Sequence, residues 1–351
     1  MTTPKFLKTV ACFAFLLCTA STLFANPVIY PASKPAKGKK LVLLASDHEY
    51  RAEETIPALA RILARRHGFD CTVLFGIDDK GEIEAGKSNI PGMEALESAD
   101  GLVIFARFLA LPPEQMKYLD AYLKRGGPVV GLRTSTHAFN YKDDKDPYYK
   151  YHFRYEGDDY KSGFGHQVLG QTWVGHYGRN HQQSTRITIK PDKAQHPILR
   201  GVRDIHVQAG GYNAEAASDW NILTMAQPLM TMEVDGKPDA TKPPMASEWT
   251  REYKGENGAK GRVFTSLYGA SEDILNEGYR RMLVNAVYWS LGLEDQIQAD
   301  SNIAFVGPYK PNTFRGGGYA KGIKPAVYEG FESPIPAHND VATKKKAGKK
   351  K

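Results

Sequence analysis

The stretch GPVVGLRTSTHAFNY, Gly127–Tyr141, decides how this chain is read. Its first half is a short, β-branched apolar run of the kind that forms a strand buried on both faces. Its second half turns polar at once, as at the sharp strand-to-helix elbows where α/β proteins mount a nucleophile. Here the elbow carries Arg133, Thr134, Ser135, Thr136 and His137, with no cysteine.

Working outward, the pattern before this stretch alternates. KKLVLLAS (Lys39–Ser46) reads as a strand, and EETIPALARILARRHGF as a helix with Ile56, Leu59, Ile62 and Leu63 on one face and Gly68 at its end. CTVLFG, GMEALESAD, GLVIFAR, PPEQMKYLDAYLKRGG and PVVGL continue as strand, short helix, strand, helix, strand. This order predicts an α/β, flavodoxin-like, doubly wound and mostly parallel sheet with helices on both faces. Eight such units are not visible, which argues against a barrel.

Residues 140–183 break the rhythm; the segment is polar in character, with ten aromatic residues in its forty-four positions. A long, aromatic-rich insertion reads as functional, since low aromatic content marks disorder. STRITI, WNILTMA, MASEWT and GRVFTSL then read as strands, and LNEGYRRMLVNAVYWSLGL as a last helix. The expected organisation is a signal peptide over 1–25, a linker over 26–38, one domain over 39–293, and an extended tail over 294–351 ending in a Lys-rich disordered segment.

The leader reading rests on Lys5 and Lys8, the short apolar core that follows, and Ala25 before Asn26. That core is too short and interrupted to span a membrane, so the expectation is an exported protein, periplasmic or extracellular, with no transmembrane segment. Of three cysteines, Cys12 and Cys18 fall in the leader, leaving Cys71 without a partner for an internal disulfide. The net charge of +7 comes from the ends. Setting aside two leader lysines and the six of Lys344–Lys351 leaves 38 basic against 39 acidic residues, which does not suggest a nucleic-acid partner. No nucleotide-cofactor motif is present, and oligomeric state is not legible.

Ligands of open α/β sheets bind beyond the carboxyl ends of the strands. Three predicted strands carry conspicuous groups there: Asp47, His48, Glu49, Tyr50 and Arg51 after the first, Arg107 after the third, and Arg133 to His137 after the fourth. Guanidiniums recognise carbonyl oxygens and paired hydroxyls, imidazoles move protons near neutral pH, and carboxylates orient them. Asp47, His48, Glu49, Arg107, Arg133 and His137 are therefore the catalytic candidates; the bland alternative is a structural ion-pair network. In the insertion, Trp173 and Tyr177, with Tyr50, suit the apolar faces of sugars. His166, His176 and His181 form a weak candidate set for a divalent metal, because their spacing fits no standard metal signature.

LVLLASDHEYRAEETIPALARIL, NIPGMEALESADGLVIFARFLALPPEQ, GGPVVGLRTSTHAFNY, HPILRGV and KGRVFTSLYGASEDILNEGYRRMLVNAVYWSLG together resemble the trehalose-utilisation, ThuA-like family over Lys39–Gly292. The resemblance implies a fold related to class I glutamine amidotransferases, in which the elbow holds a nucleophilic cysteine. Arg133 or Thr134 stands there in this chain, so thiolate chemistry and glutamine hydrolysis are unavailable. Many relatives have histidine where this chain has Arg133, and another where it has Gly269–Ala270. The family's association with disaccharides and 3-keto-sugars implies a small carbohydrate ligand. The expected function is acid/base chemistry on a disaccharide or its keto derivative, as an isomerase or glycoside-cleaving enzyme; the alternative is a non-catalytic sugar-binding module.

Overall fold

The computed structural model describes residues 27–319 and 321–337. The predicted signal peptide and Lys-rich end lie outside the described residues. A ten-stranded sheet runs through the molecule in the order β1-β3-β2-β4-β5-β10-β9-β8-β6-β7. The strands are β1 Val28–Tyr30, β2 Lys40–Ser46, β3 Asp70–Phe75, β4 Gly101–Ala106, β5 Val129–Leu132, β6 Thr185–Ile189, β7 Ile205–Val207, β8 Asn221–Pro228, β9 Met245–Lys254 and β10 Lys260–Ser266. The α-helices are α1 Ala52–His67, α2 Pro113–Lys124 and α3 Glu277–Ser290. No helix among the described residues is long and apolar enough to cross a membrane.

The expectation of a mostly parallel, doubly wound sheet is corrected by this order. β3, β2, β4, β5 and β10 are mutually parallel, but the other five of nine neighbour pairs are antiparallel. The cause lies in the connections. Residues 255–259 alone link β9 to β10, far too few for the crossover a parallel pair requires. The periodicity identified the strands of this half but carried no information on their direction.

Side chains of β2 alternate between two cores. Leu41, Leu43 and Ala45 pack with Ile56, Leu59 and Leu63 of α1 and Met282 and Leu283 of α3. Val42 and Leu44 pack with Met116 and Leu119 of α2. The aromatic insertion is folded: Tyr141, Tyr151, Phe164 and Leu169 belong to that second core. The carbonyl of Leu169 accepts from Trp249 Nε1 and Thr265 Oγ1, both at 2.8 Å, tying the insertion to β9 and β10. The tail wraps back over α1, where Arg61 donates to the carbonyls of Tyr328 and Ser333.

One buried carboxylate joins the two halves of the sheet at the rim. Asp273 Oδ1 accepts from the backbone N–H of Gln208 and Ala209 after β7, and Oδ2 from those of Gly269 and Ala270 after β10. Replacing Asp273 by alanine leaves four backbone donors without their acceptor in a dry setting, so it should lower the unfolding free energy by about 3 kcal/mol or more, read by urea denaturation.

Candidate functional site

β5 ends as the sequence predicts, in a sharp turn. Arg133 has φ 43 and opens a 3-10 turn through His137, so the strained elbow position belongs to Arg133 and not to Thr134. Its side chain is wholly buried. The guanidinium lies on the Tyr50 ring, 3.7 Å to the centroid, with Tyr212 at 4.6 Å. Its two terminal nitrogens donate to the carbonyls of Leu267, at 3.0 Å, and Gly210, at 2.9 Å. The expectation that Arg133 presents a free fork to a ligand does not fit this geometry; both nitrogens hold backbone. Ser135 is structural too, donating to Ile104 O at 2.8 Å.

The turn after β2 brings the other candidates to the same rim. Asp47 is buried, and its Oδ1 accepts from the backbone N–H of Glu49 and Tyr50, which shapes the turn. Glu49 pairs with Arg107 beyond β4, and this ion pair keeps a window to solvent, 17% and 16% exposed. His48 is half-buried beside it, and Gly86 approaches so closely that a Cβ there would stand 2.7 Å from His48 Nδ1. Phe108 ring centroids lie 6.4 Å from His48 and 4.9 Å from His137. Trp173 lies 5.3 Å from His137 and 5.9 Å from His176. Tyr50 closes the circle: its hydroxyl accepts from Asn180 at 2.8 Å and meets His176 Nε2 at 3.4 Å.

Three imidazoles at this rim are held below the usual histidine range. Burial does most of this for His137, with the charges of Arg107 and Arg133 adding to it. Burial also lowers His48, against the opposing pull of Asp47, and lowers His176 together with Arg133. Burial pushes the Tyr50 phenol up. At neutral pH the rim therefore presents neutral imidazoles, able to accept a proton, around one carboxylate–guanidinium pair. Several buried polar atoms here have no protein partner: Asp47 Oδ2, His48 Nδ1, Arg107 Nε, Thr134 Oγ1 and Trp173 Nε1.

Tyr177 and two of the candidate metal ligands stand apart from this group. The Tyr177 hydroxyl is taken by Pro243 O at 2.5 Å. His166 is exposed beside Arg251 and Asp219, and His181 stacks on Phe314 at 4.5 Å. The weak candidate metal set of His166, His176 and His181 is not assembled: the three have separate neighbours, and among the described residues no group of three His, Cys, Asp or Glu side chains is placed to hold a metal ion. Sequence reasoning missed Phe108, Asn180 and Tyr212. The doublet Gly210–Gly211 before Tyr212 was the available signal, since a Cβ on Gly211 would stand 2.4 Å from the Tyr268 hydroxyl.

The sequence matches the family model described as ThuA, trehalose utilisation, over residues 41–290. The chain belongs to the trehalose-utilisation family. It is similar in structure to ThuA-like proteins from Parabacteroides merdae (14% identity, TM-score 0.43, 72% of this chain and 90% of that one) and Bacteroides uniformis (14%, 0.44, 74% and 95%). A more distant likeness is to an exo-β-1,4-mannosidase from Opitutaceae bacterium strain TAV5 (11%, 0.33, 72% and 35%). No curated protein matches the sequence significantly. Within the ThuA frame, the elbow of this member carries a locked cation.

The rim makes a direct prediction about protonation. Ring resonances of His137, followed by NMR, should show no titration through the ordinary histidine range, with any midpoint lying below it. Arg107→Gln, which removes a nearby positive charge and frees Glu49, should move its midpoint upward.

Proposed function

We propose that this member of the trehalose-utilisation family is an exported carbohydrate-handling enzyme that acts on a disaccharide or its keto derivative by proton transfer at the rim. The observation that carries this reading is the solvent-reaching Glu49–Arg107 pair set among imidazoles that burial keeps neutral. Export is supported by the pattern of the first twenty-five residues.

The chemistry follows from these groups. The mixed donors and acceptors left unpartnered at the rim match hydroxyl groups, which both give and accept hydrogen bonds, and the indole of Trp173 and the ring of Phe108 offer flat apolar faces. With a keto-sugar, Arg107 would hold the carbonyl oxygen and stabilise the enolate that forms on it. His48, neutral and half-buried next to the Asp47 carboxylate, would remove the proton on the carbon beside the ketone. Moving the hydroxyl proton of that carbon onto the former carbonyl oxygen, through Glu49, and returning the carbon-bound proton to the former carbonyl carbon shifts the ketone along the ring and isomerises the sugar. Alternatively, electrons of the enolate expel the glycosidic oxygen, which takes up a proton, and water adds to the resulting double bond. Glu49 would share Arg107 with the ligand and receive or supply the second proton.

A second reading is supported by Arg133. The residue at the elbow is committed to two backbone carbonyls, which suits a binding module that keeps a sugar pocket without chemistry. An NMR time course of the chain from Asn26 onward, with trehalose and with its 3-keto derivative, separates the two. The enzyme reading expects new product resonances, and His48→Gln or Glu49→Gln to slow their appearance by roughly 100-fold or more. Ligand signals that broaden without conversion would favour the binding module, and no change with either sugar would overturn both.

A further inference from the structure

The family match ends at residue 290, yet the rim is not complete there. A segment more than 260 positions downstream of the Asp47–Arg51 turn packs directly on it. The backbone N–H of Arg315 donates to Glu49 O at 2.8 Å. The carbonyl of Thr313 accepts from Arg51 Nε and one terminal nitrogen, both at 3.3 Å, and Arg51 itself sits at φ 63. Asn312 is anchored on Glu54, with backbone and side-chain nitrogens each 2.8 Å from a carboxylate oxygen. Ser271, just past β10, donates to Asn312 O at 2.9 Å, and Tyr309 donates to Ser271 O at 2.6 Å. Between these anchors Phe314, 1% exposed, packs against Tyr50 with ring centroids 5.1 Å apart and planes tilted by 35°, and stacks on His181 at 4.5 Å.

We infer that residues 309–315 form a strap that positions the rim, and that Phe314 is its positioning residue, clamping Tyr50 against Arg133. The Tyr50 ring contacts two partners, Phe314 at 5.1 Å and the Arg133 guanidinium at 3.7 Å. Its hydroxyl in turn fixes His176 and Asn180. Remove the ring at position 314 and one side of Tyr50 opens. Arg133 stays tied to its two carbonyls, while the phenol loses the orientation that brings it to His176. Glu49 is held at its backbone by the same strap, so the acid of the rim and the aromatic wall are set together. The inference concerns how the rim is held, and rests on the rim being the site only for its functional consequence; it stands whether that rim converts a sugar or binds one.

The test needs no ligand. His176 faces Tyr50 and Glu49 from the β2 turn, Arg107 from beyond β4, Arg133 and His137 from the elbow, and Tyr212 from the loop after β7. Histidine ring resonances of the full chain are titrated in wild type, Phe314→Ala and Phe314→Leu, with His196, which packs against Trp289 and sits at about 4, as the internal standard. Phe314→Leu keeps an apolar side chain in the gap and guards against simple loss of fold. Both variants should move the His176 midpoint toward the ordinary histidine value by roughly half a pH unit or more, because water replaces the Tyr50 contact. His196 should stay where it is, and the larger shift should belong to alanine. A His176 midpoint unchanged in both folded variants would overturn the inference, as would an equal movement of His196, which would show general loosening. If the strap result holds while sugar turnover is absent, only the functional reading fails.

Discussion

Arg133 is the interaction on which the rim depends. A guanidinium with no solvent exposure must recover its lost hydration from the protein, and Arg133 does so through two tyrosine rings and its two terminal nitrogens, while its Nε has no hydrogen-bond partner. Here the recovery comes from three segments. Tyr50 belongs to the turn after β2, Leu267 to the exit of β10, and Gly210 and Tyr212 to the loop after β7, whose residues 208 and 209 Asp273 also holds. The cation therefore acts as a cross-link between the parallel half of the sheet and the antiparallel half. The three-dimensional meaning of the elbow changes with it: the strained backbone that could expose a nucleophile instead drives a long side chain inward, to where the two halves meet.

Much of this was legible in the chain, and the limits have physical causes. The strand ends were clear because buried parallel strands are continuous apolar runs that stop abruptly at polar residues, and Asp47, Arg107 and Arg133 do meet at one rim as that pattern required. Strand direction was not clear, because the alternation in STRITI or WNILTMA is the same whichever way the chain runs; it was the short link between β9 and β10 that fixed antiparallel pairing. The state of Arg133 was equally hidden. Residue type shows that a guanidinium can fork onto an oxygen, but not that Leu267 and Gly210 would supply the oxygens. The histidines of the insertion were a weak metal candidate for a related reason: proximity in sequence was the only evidence for a set, and the fold sends His166 to the Arg251–Asp219 pair while His176 turns to Tyr50. Phe314 carried no signal at all, since a lone aromatic in a Pro- and Gly-rich tail has no periodicity to place it.

The locked cation also bears on protonation, which links the fold to its chemistry. His137 and His176 both feel Arg133 as a repulsive charge, and His137 and His48 feel Arg107 as well. Burial supplies the larger part of each downward displacement; the guanidiniums add to it and cannot be titrated away near neutral pH. Asp47 pulls His48 in the opposite direction, so of the three imidazoles His48 is the one beside which a proton is best compensated once taken up. A nucleophilic elbow would have needed an imidazole that gains its proton from a thiol or hydroxyl close by. This elbow instead keeps the surrounding imidazoles empty-handed and fixes the walls around them. Proton acceptance from carbon, or hydrogen bonding to hydroxyls, is the chemistry such a rim retains; covalent attack from Arg133 is not.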